Sequence, residues 1–143
     1  MINVTGFRYC RLGTANLAET VKFAQEIIGL ELVDIKDGFA YMRGDDRDHN
    51  IVYFQGDPND HTVGLSIETF DELDAAESTL KEQGLTVYRG SDAEAAARRC
   101  MGYINFKDNS GNSIDLTVRP FASGKRYFPS RDAGITEYSH IGL

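Results

Sequence analysis

The sequence predicts an α+β fold built from two similar modules, each a strand followed by a helix and three further strands. Segments of alternating apolar and polar residues, typical of half-buried strands, are separated by turns rich in glycine and asparagine. Two helical patterns each end at a Gly-Leu pair, at Gly29 and at Gly84. The same order of elements therefore occurs twice, over about residues 4–56 and 61–119. We expect the two modules to form an open, half-barrel mixed sheet around a cleft, with both helices outside.

The first module opens with a predicted strand over residues 5–12, which a Gly-Thr-Ala-Asn turn ends. Asn16, with Glu19 three residues later, is typical of a helix N-terminus with a capping box. The helix is predicted to end at Gly29. Three strands then follow, at residues 30–35, 39–42 and 50–54, the first two joined by a turn at Asp37 and Gly38.

The second module repeats this order, with a strand at residues 62–67 and a helix from about residue 70 to 83. Its clearest feature is the hairpin of residues 106–116, whose Asp-Asn-Ser-Gly-Asn turn lets Gly111 take a positive φ without steric cost. Residues 92–99 are locally helix-prone, and we expect a loop with a helical turn there, without an assigned function.

Asp115 lies inside the second strand of this hairpin. If Ile114 and Leu116 face the core, the alternation of a strand places Asp115 and Thr117 on the opposite face. A carboxylate in a strand interior needs water, a cation or a metal opposite it. The pattern therefore indicates either a metal ligand or a hydrogen-bonded acid, and the residues alone favour the second.

The composition excludes several classes of partner. The net charge of −7 disfavours nucleic acid and anionic membrane surfaces, which select basic proteins. No apolar segment approaches the roughly 20 residues that span a bilayer. Cys10 and Cys100 are far apart and form no metal-binding spacing, which favours reduced thiols and a cytoplasmic location.

The hairpin motif Phe-x-Asp-x-x-Gly-Asn-x-x-Asp-Leu resembles the closing hairpin of the vicinal oxygen chelate superfamily, which includes glyoxalases, bleomycin-resistance proteins and extradiol dioxygenases. In that superfamily the last acidic residue often binds a metal. The resemblance implies four facing ligand positions, which hold Tyr9, Val52, Gly64 and Asp115 here. A divalent ion needs about three converging protein ligands, so we expect no cofactor within residues 1–120.

Two segments resemble a narrower group, the type I extradiol dioxygenases. Residues 9–17 and 40–49 are similar to the N-terminal, metal-free domain of those enzymes. The segment Ile-Thr-Glu-Tyr-Ser-His-Ile-Gly-Leu at residues 135–143 resembles the first strand of their second, iron-bearing domain. The resemblance implies that residues 1–120 form one domain and that residues 121–143 are a linker plus the first strand of a missing domain. It makes His140 the candidate first metal ligand.

The function implied by the resemblance is an extradiol dioxygenase of aromatic hydrocarbon catabolism. It would cleave a small catechol-type diol with O2, using Fe(II) or Mn(II) in the missing domain, and would be a homo-oligomer. The 143-residue chain alone is then expected to be inactive. One alternative is a metal-free binding protein of the bleomycin-resistance type, and another is a glyoxalase-like metalloenzyme with a site shared across a dimer. On simpler interpretations, His140 is a terminal histidine without a role, and His49 and His61 are solvated turn residues beside aspartates.

Overall fold

The computed structural model describes residues 1–130 and 134–137. These residues form two compact units. The first-module unit contains Tyr9–His61 together with the described part of residues 122–137, and the second-module unit contains Met1–Arg8 and Thr62–Phe121. The strands are β1 (Gly6–Thr14), β2 (Glu31–Lys36), β3 (Phe39–Arg43), β4 (Ile51–Gln55), β5 (His61–Ile67), β6 (Val87–Arg89), β7 (Cys100–Lys107) and β8 (Ser113–Pro120). The helices are α1 (Leu17–Phe23, extended by a π-helical turn over Ala24–Ile28), α2 (Phe70–Glu82) and α3 (Asp92–Ala97).

The first-module unit has the strand order β2-β3-β4-β1. Strands β2, β3 and β4 are antiparallel neighbours, and β1 runs parallel to β4. Asp37 and Gly38 both have positive φ values, 52° and 82°, as the predicted two-residue turn between β2 and β3 requires. Helix α1 covers one face of this sheet, with a core that contains Val21, Ala24, Leu30, Ala40, Met42 and Ile51.

Helix α1 begins as predicted, because the Asn16 side chain accepts a hydrogen bond from the Glu19 backbone N–H. It also ends at Gly29 as predicted, but its last turn is not α-helical. The backbone N–H groups of Gly29 and Leu30 both bond to the carbonyl of Ala24, which widens the last turn into a π-helix. Gly29 then leaves the helix with a φ of 89°.

The second-module unit has the strand order β5-β8-β7-β6, with β5 parallel to β8 and the other neighbours antiparallel. The β7–β8 hairpin confirms the predicted turn, since Gly111 has a φ of 88°. The Asp108 carboxylate accepts backbone hydrogen bonds from Ser110 and Asn112 inside it. Helix α2 packs on one face, around Ile67, Leu73, Ala76, Ile104, Leu116 and Val118. Both modules thus confirm the α+β class with strands of mixed direction.

The segment predicted as a loop with a helical turn is the short helix α3. Ser91 and Glu94 form a reciprocal capping box at its start, with the Ser91 side chain accepting from the Glu94 backbone and the Glu94 carboxylate accepting from the Ser91 backbone. The capping box supplies partners for backbone groups that a bare loop would leave to water. No described helix is long and apolar enough to cross a membrane.

Candidate functional site

Each module has a sheet face opposite its helix, and the side chains there carry the candidate chemistry. In the second module, Asp115 pairs in register with Gly64 on β5 and with Asn105 on β7. Thr117 pairs with Ser66 and with Tyr103 in the same way. The face that the sequence pattern assigned to Asp115 is therefore confirmed, and it is polar.

The carboxylate of Asp115 is fully buried and is held by two side chains. Arg98 Nε donates to Oδ2 at 2.7 Å, and Asn105 Nδ2 donates to Oδ1 at 2.8 Å. Asn105 also donates to the hydroxyl of Ser113 at 2.9 Å, which fixes the orientation of its amide. A guanidinium therefore supplies the positive charge that a buried carboxylate needs.

Helix α3 places Arg98 against this carboxylate, because Arg98 is its C-cap residue. The guanidinium lies 3.8 Å from the centroid of the Tyr103 ring, and burial raises the pKa of that phenol to about 12. The loop before α3 lies closely on the same ring: a Cβ added to Gly90 would be 1.8 Å from Tyr103 Cε1. Residues 90–98 therefore cover part of the polar face of the second module.

The Glu94 carboxylate belongs to the capping box at the N-terminus of α3. Its pKa is lowered to about 2, first by the hydrogen bond from the Ser91 backbone and then by that from the Tyr88 hydroxyl, which lies 2.7 Å from Oε2. Because the folded pKa lies below the usual value of 4.5, the stabilising contribution of this cap is present above pH 4.5. It is lost as the pH falls toward 2.

We expect Tyr88→Phe to raise the pKa of Glu94 from about 2 toward its usual value of 4.5, since one donor to the carboxylate is removed. The midpoint can be followed through the carboxyl carbon of Glu94 by NMR between pH 1.5 and 6, a range that brackets both values. The carboxylate of Glu77 accepts from Lys81 and Arg89 and should titrate unchanged as an internal control. An unchanged midpoint for Glu94 would contradict the assigned geometry.

The four superfamily ligand positions do not fit a metal. Gly64 has no side chain, and the Asp115 carboxylate is engaged by a guanidinium. Val52 is apolar, and Tyr9 offers a buried phenol that lies beside the ring of His49. Within residues 1–130 and 134–137, no group of three or more His, Cys, Asp or Glu side chains could hold a metal ion. The residues at these four positions therefore disfavour metal binding.

The corresponding face of the first module is aromatic. Register places Val52 beside Arg11 and Tyr41, and the Arg11 guanidinium lies 4.6 Å from the centroid of Phe39. His49 is buried here, with its ring 5.4 Å from those of Tyr9 and Tyr41. Farther along β1, a Cβ added to Gly13 would collide with the backbone of Asp57, so only glycine fits at this position.

The two turn histidines are less exposed than the simple prediction of solvated residues beside aspartates, and His49 is buried. His49 does contact a neighbouring carboxylate, since its Nδ1 lies 3.0 Å from Asp48 Oδ2, but stacking between aromatic rings buries it. His61 is half-buried, and its Nδ1 lies 3.0 Å from the backbone carbonyl of Asn59. The solvated interpretation is therefore wrong for His49. His140 lies outside the described residues, and its role as a metal ligand stays a prediction.

Sequence reasoning missed Arg98. The buried Asp115 indicated that a cation or a metal was needed, and the helix-prone segment Asp-Ala-Glu-Ala-Ala-Ala ends at an Arg-Arg pair. Joining these two signals required knowing that α3 turns its C-terminus toward β8, and no local pattern encodes that.

Comparison with known proteins identifies the family. The model of the glyoxalase/bleomycin resistance protein/dioxygenase superfamily matches residues 6–116. The chain belongs to this superfamily. A biphenyl-2,3-diol 1,2-dioxygenase of Sphingomonas paucimobilis is 31% identical over 152 aligned residues, which cover 100% of this chain and 51% of that protein. A 1,2-dihydroxynaphthalene dioxygenase of Sphingobium xenophagum is 28% identical, over 92% of this chain and 45% of that protein.

Solved structures of dioxygenases have the same fold. A catechol 2,3-dioxygenase matches with a TM-score of 0.80 and 30% identity, over 92% of this chain and 45% of that chain. An extradiol ring-cleaving dioxygenase from B. fuscum matches with a TM-score of 0.75 at 18% identity, which shows the fold alone. This superfamily chain thus spans about half the length of the dioxygenases it matches.

Proposed function

We propose that the chain is the metal-free N-terminal half of an extradiol ring-cleaving dioxygenase, which opens a catechol-type diol with O2. The observation that carries this proposal is the 31% identity to a biphenyl-2,3-diol dioxygenase along the whole chain, over only 51% of that relative. We further propose that residues 1–120 form one domain and that residues 121–143 lead into a second one. That second domain would hold the Fe(II) or Mn(II).

The side chains at Asp115 support the metal-free part of the proposal. The guanidinium of Arg98 already compensates the charge of the buried carboxylate, so the carboxylate does not need a divalent ion beside it. The metal would instead be held beyond residue 137, with His140 as one of the two histidines in a site of two histidines and one carboxylate. The buried thiols of Cys10 and Cys100, which form no disulfide within the described residues, support a cytoplasmic location. A homo-oligomer remains part of the proposal.

Ring cleavage tests the proposal. The product of the complete reading frame, loaded anaerobically with Fe(II), should consume O2 and cleave biphenyl-2,3-diol or 1,2-dihydroxynaphthalene. The 143-residue chain under the same conditions should not. His140→Ala in the complete product should abolish turnover and lower the iron content, whereas His61→Ala, which lies outside the proposed metal site, should retain both.

Two results would overturn the proposal. Ring cleavage by the iron-loaded 143-residue chain would place the metal within it. Tight, metal-independent binding of either diol to that chain, with no turnover by the complete product, would favour a binding module of the bleomycin-resistance type.

A further inference from the structure

Arg43 is a buried cation at the end of β3, with only 3% of its side chain exposed. Its Nε and Nη2 donate to the two carboxylate oxygens of Glu31 on β2, both at 3.0 Å. This bidentate pair fixes the plane of the guanidinium. Nη1 is thereby directed away from Glu31 and toward residues that follow the second module in sequence.

Nη1 of Arg43 makes two bonds to those residues. It donates to the Ser123 hydroxyl at 2.8 Å and to the Lys125 carbonyl at 3.0 Å. The same guanidinium lies 5.7 Å from the centroid of the Tyr127 ring. One side chain therefore contacts three positions in a segment that has no helix or strand of its own.

Residues 122–130 and 134–137, here called the strap, make further contacts with the first module. The Tyr127 backbone N–H donates to Asp46 Oδ1 at 3.1 Å, and within the strap the Tyr127 hydroxyl donates to the Ile135 carbonyl at 2.8 Å. Ser130 donates to the Gly29 carbonyl at 3.2 Å. Ile135 packs on the core of the first module, where its Cγ2 would lie 3.0 Å from a Cβ added to Gly44. Ile135 is therefore partly buried.

We propose that the strap is a fixed arm and that Arg43 is a positioning residue, which sets the direction in which the chain leaves the first module. The inference rests on the proposed function, because its consequence is the placement of a metal-bearing second half. A segment without secondary structure must offset its loss of chain entropy through side-chain contacts. Arg43 supplies three of these contacts, to Ser123, Lys125 and Tyr127.

Hydrogen exchange read by mass spectrometry tests the fixed arm in the 143-residue chain. Arg43→Lys keeps the positive charge but loses the planar guanidinium that donates to Glu31 and to the strap at the same time. Hydrogen exchange in peptides covering residues 122–130 should therefore rise about tenfold or more. Ser123→Ala removes one of the two hydrogen bonds from Arg43 to the strap, together with the two that its hydroxyl makes to the backbone of Lys125, and should also raise exchange there. Arg89→Lys, which alters an exposed ion pair, should leave these peptides unchanged. Wild-type strap amides that exchange as fast as an unstructured chain, or an Arg43→Lys profile identical to wild type, would overturn the inference.

The complete product tests the positioning role. Arg43→Lys should lower kcat for diol cleavage about tenfold at unchanged iron content, because the second half is held less well. Arg89→Lys should leave kcat and iron content as in wild type. A loosened strap with unchanged kcat would overturn the positioning role. If the complete product cleaves no diol although the strap loosens in Arg43→Lys, the proposed function fails while the fixed arm stands.

Discussion

Replacing Arg98 with alanine is expected to destabilise the second module by about 3–5 kcal/mol, because it removes the guanidinium that donates to the buried carboxylate of Asp115. Asn105 remains as a donor but supplies no charge. Urea unfolding followed by circular dichroism measures the loss as a lower midpoint at an unchanged slope. The change would be among the larger effects of single substitutions.

Two controls separate a buried pair from an ordinary ion pair. Arg89→Ala removes a cation that contacts Asp74 and Glu77 on the surface, and it should cost no more than about 1 kcal/mol. The double change Arg98→Met with Asp115→Leu should recover most of the stability, since no lone buried charge remains. An Arg98→Ala protein within about 1 kcal/mol of wild type would contradict the buried pair.

Gly90→Ala is expected to cost about 3 kcal/mol, at the upper end of the usual range for overpacking. The added Cβ would lie 1.8 Å from Tyr103 Cε1 and 2.3 Å from Cζ, so either the loop or the ring must move. The ring is buried under the Arg98 guanidinium and has little freedom to do so. The same unfolding measurement gives the value.

Gly124→Ala is the matched control, because nothing lies within 4 Å of its added Cβ and its effect should be small. Removing the ring should relieve the clash, so Gly90→Ala should cost less in a Tyr103→Ala background by about 1 kcal/mol or more. Equal costs in the two backgrounds would show that the loop before α3 does not lie on Tyr103.

Local signals explain what the sequence could predict. The turn at Gly111, the hairpin turn at Asp37 and Gly38, and the N-cap at Asn16 each depend on a few neighbouring residues, and all three are confirmed. The two-module order follows from strand and helix periods, which the chain carries twice. The placement of Asp115 on the sheet face opposite helix α2 follows from the alternation of a strand.

Contacts between distant residues explain what the sequence could not predict. Arg98 contacts Asp115 because α3 packs on β7, which is the neighbour of β8, and Arg43 contacts Ser123, which lies 80 residues later in the chain. The burial of His49 depends on the rings of Tyr9 and Tyr41, which come from two different strands. The strap has no periodic pattern of apolar residues, so the sequence does not predict that it packs on the first module.

The metal content of the purified 143-residue chain tests the central claim most directly. After anaerobic incubation with Fe(II) and with Mn(II), followed by desalting, elemental analysis should find far less than one ion per chain. The product of the complete reading frame, treated identically, should retain about one ion per chain. About one tightly held ion per 143-residue chain, retained in wild type and lost in Asp115→Asn, would contradict the claim that this half is metal-free.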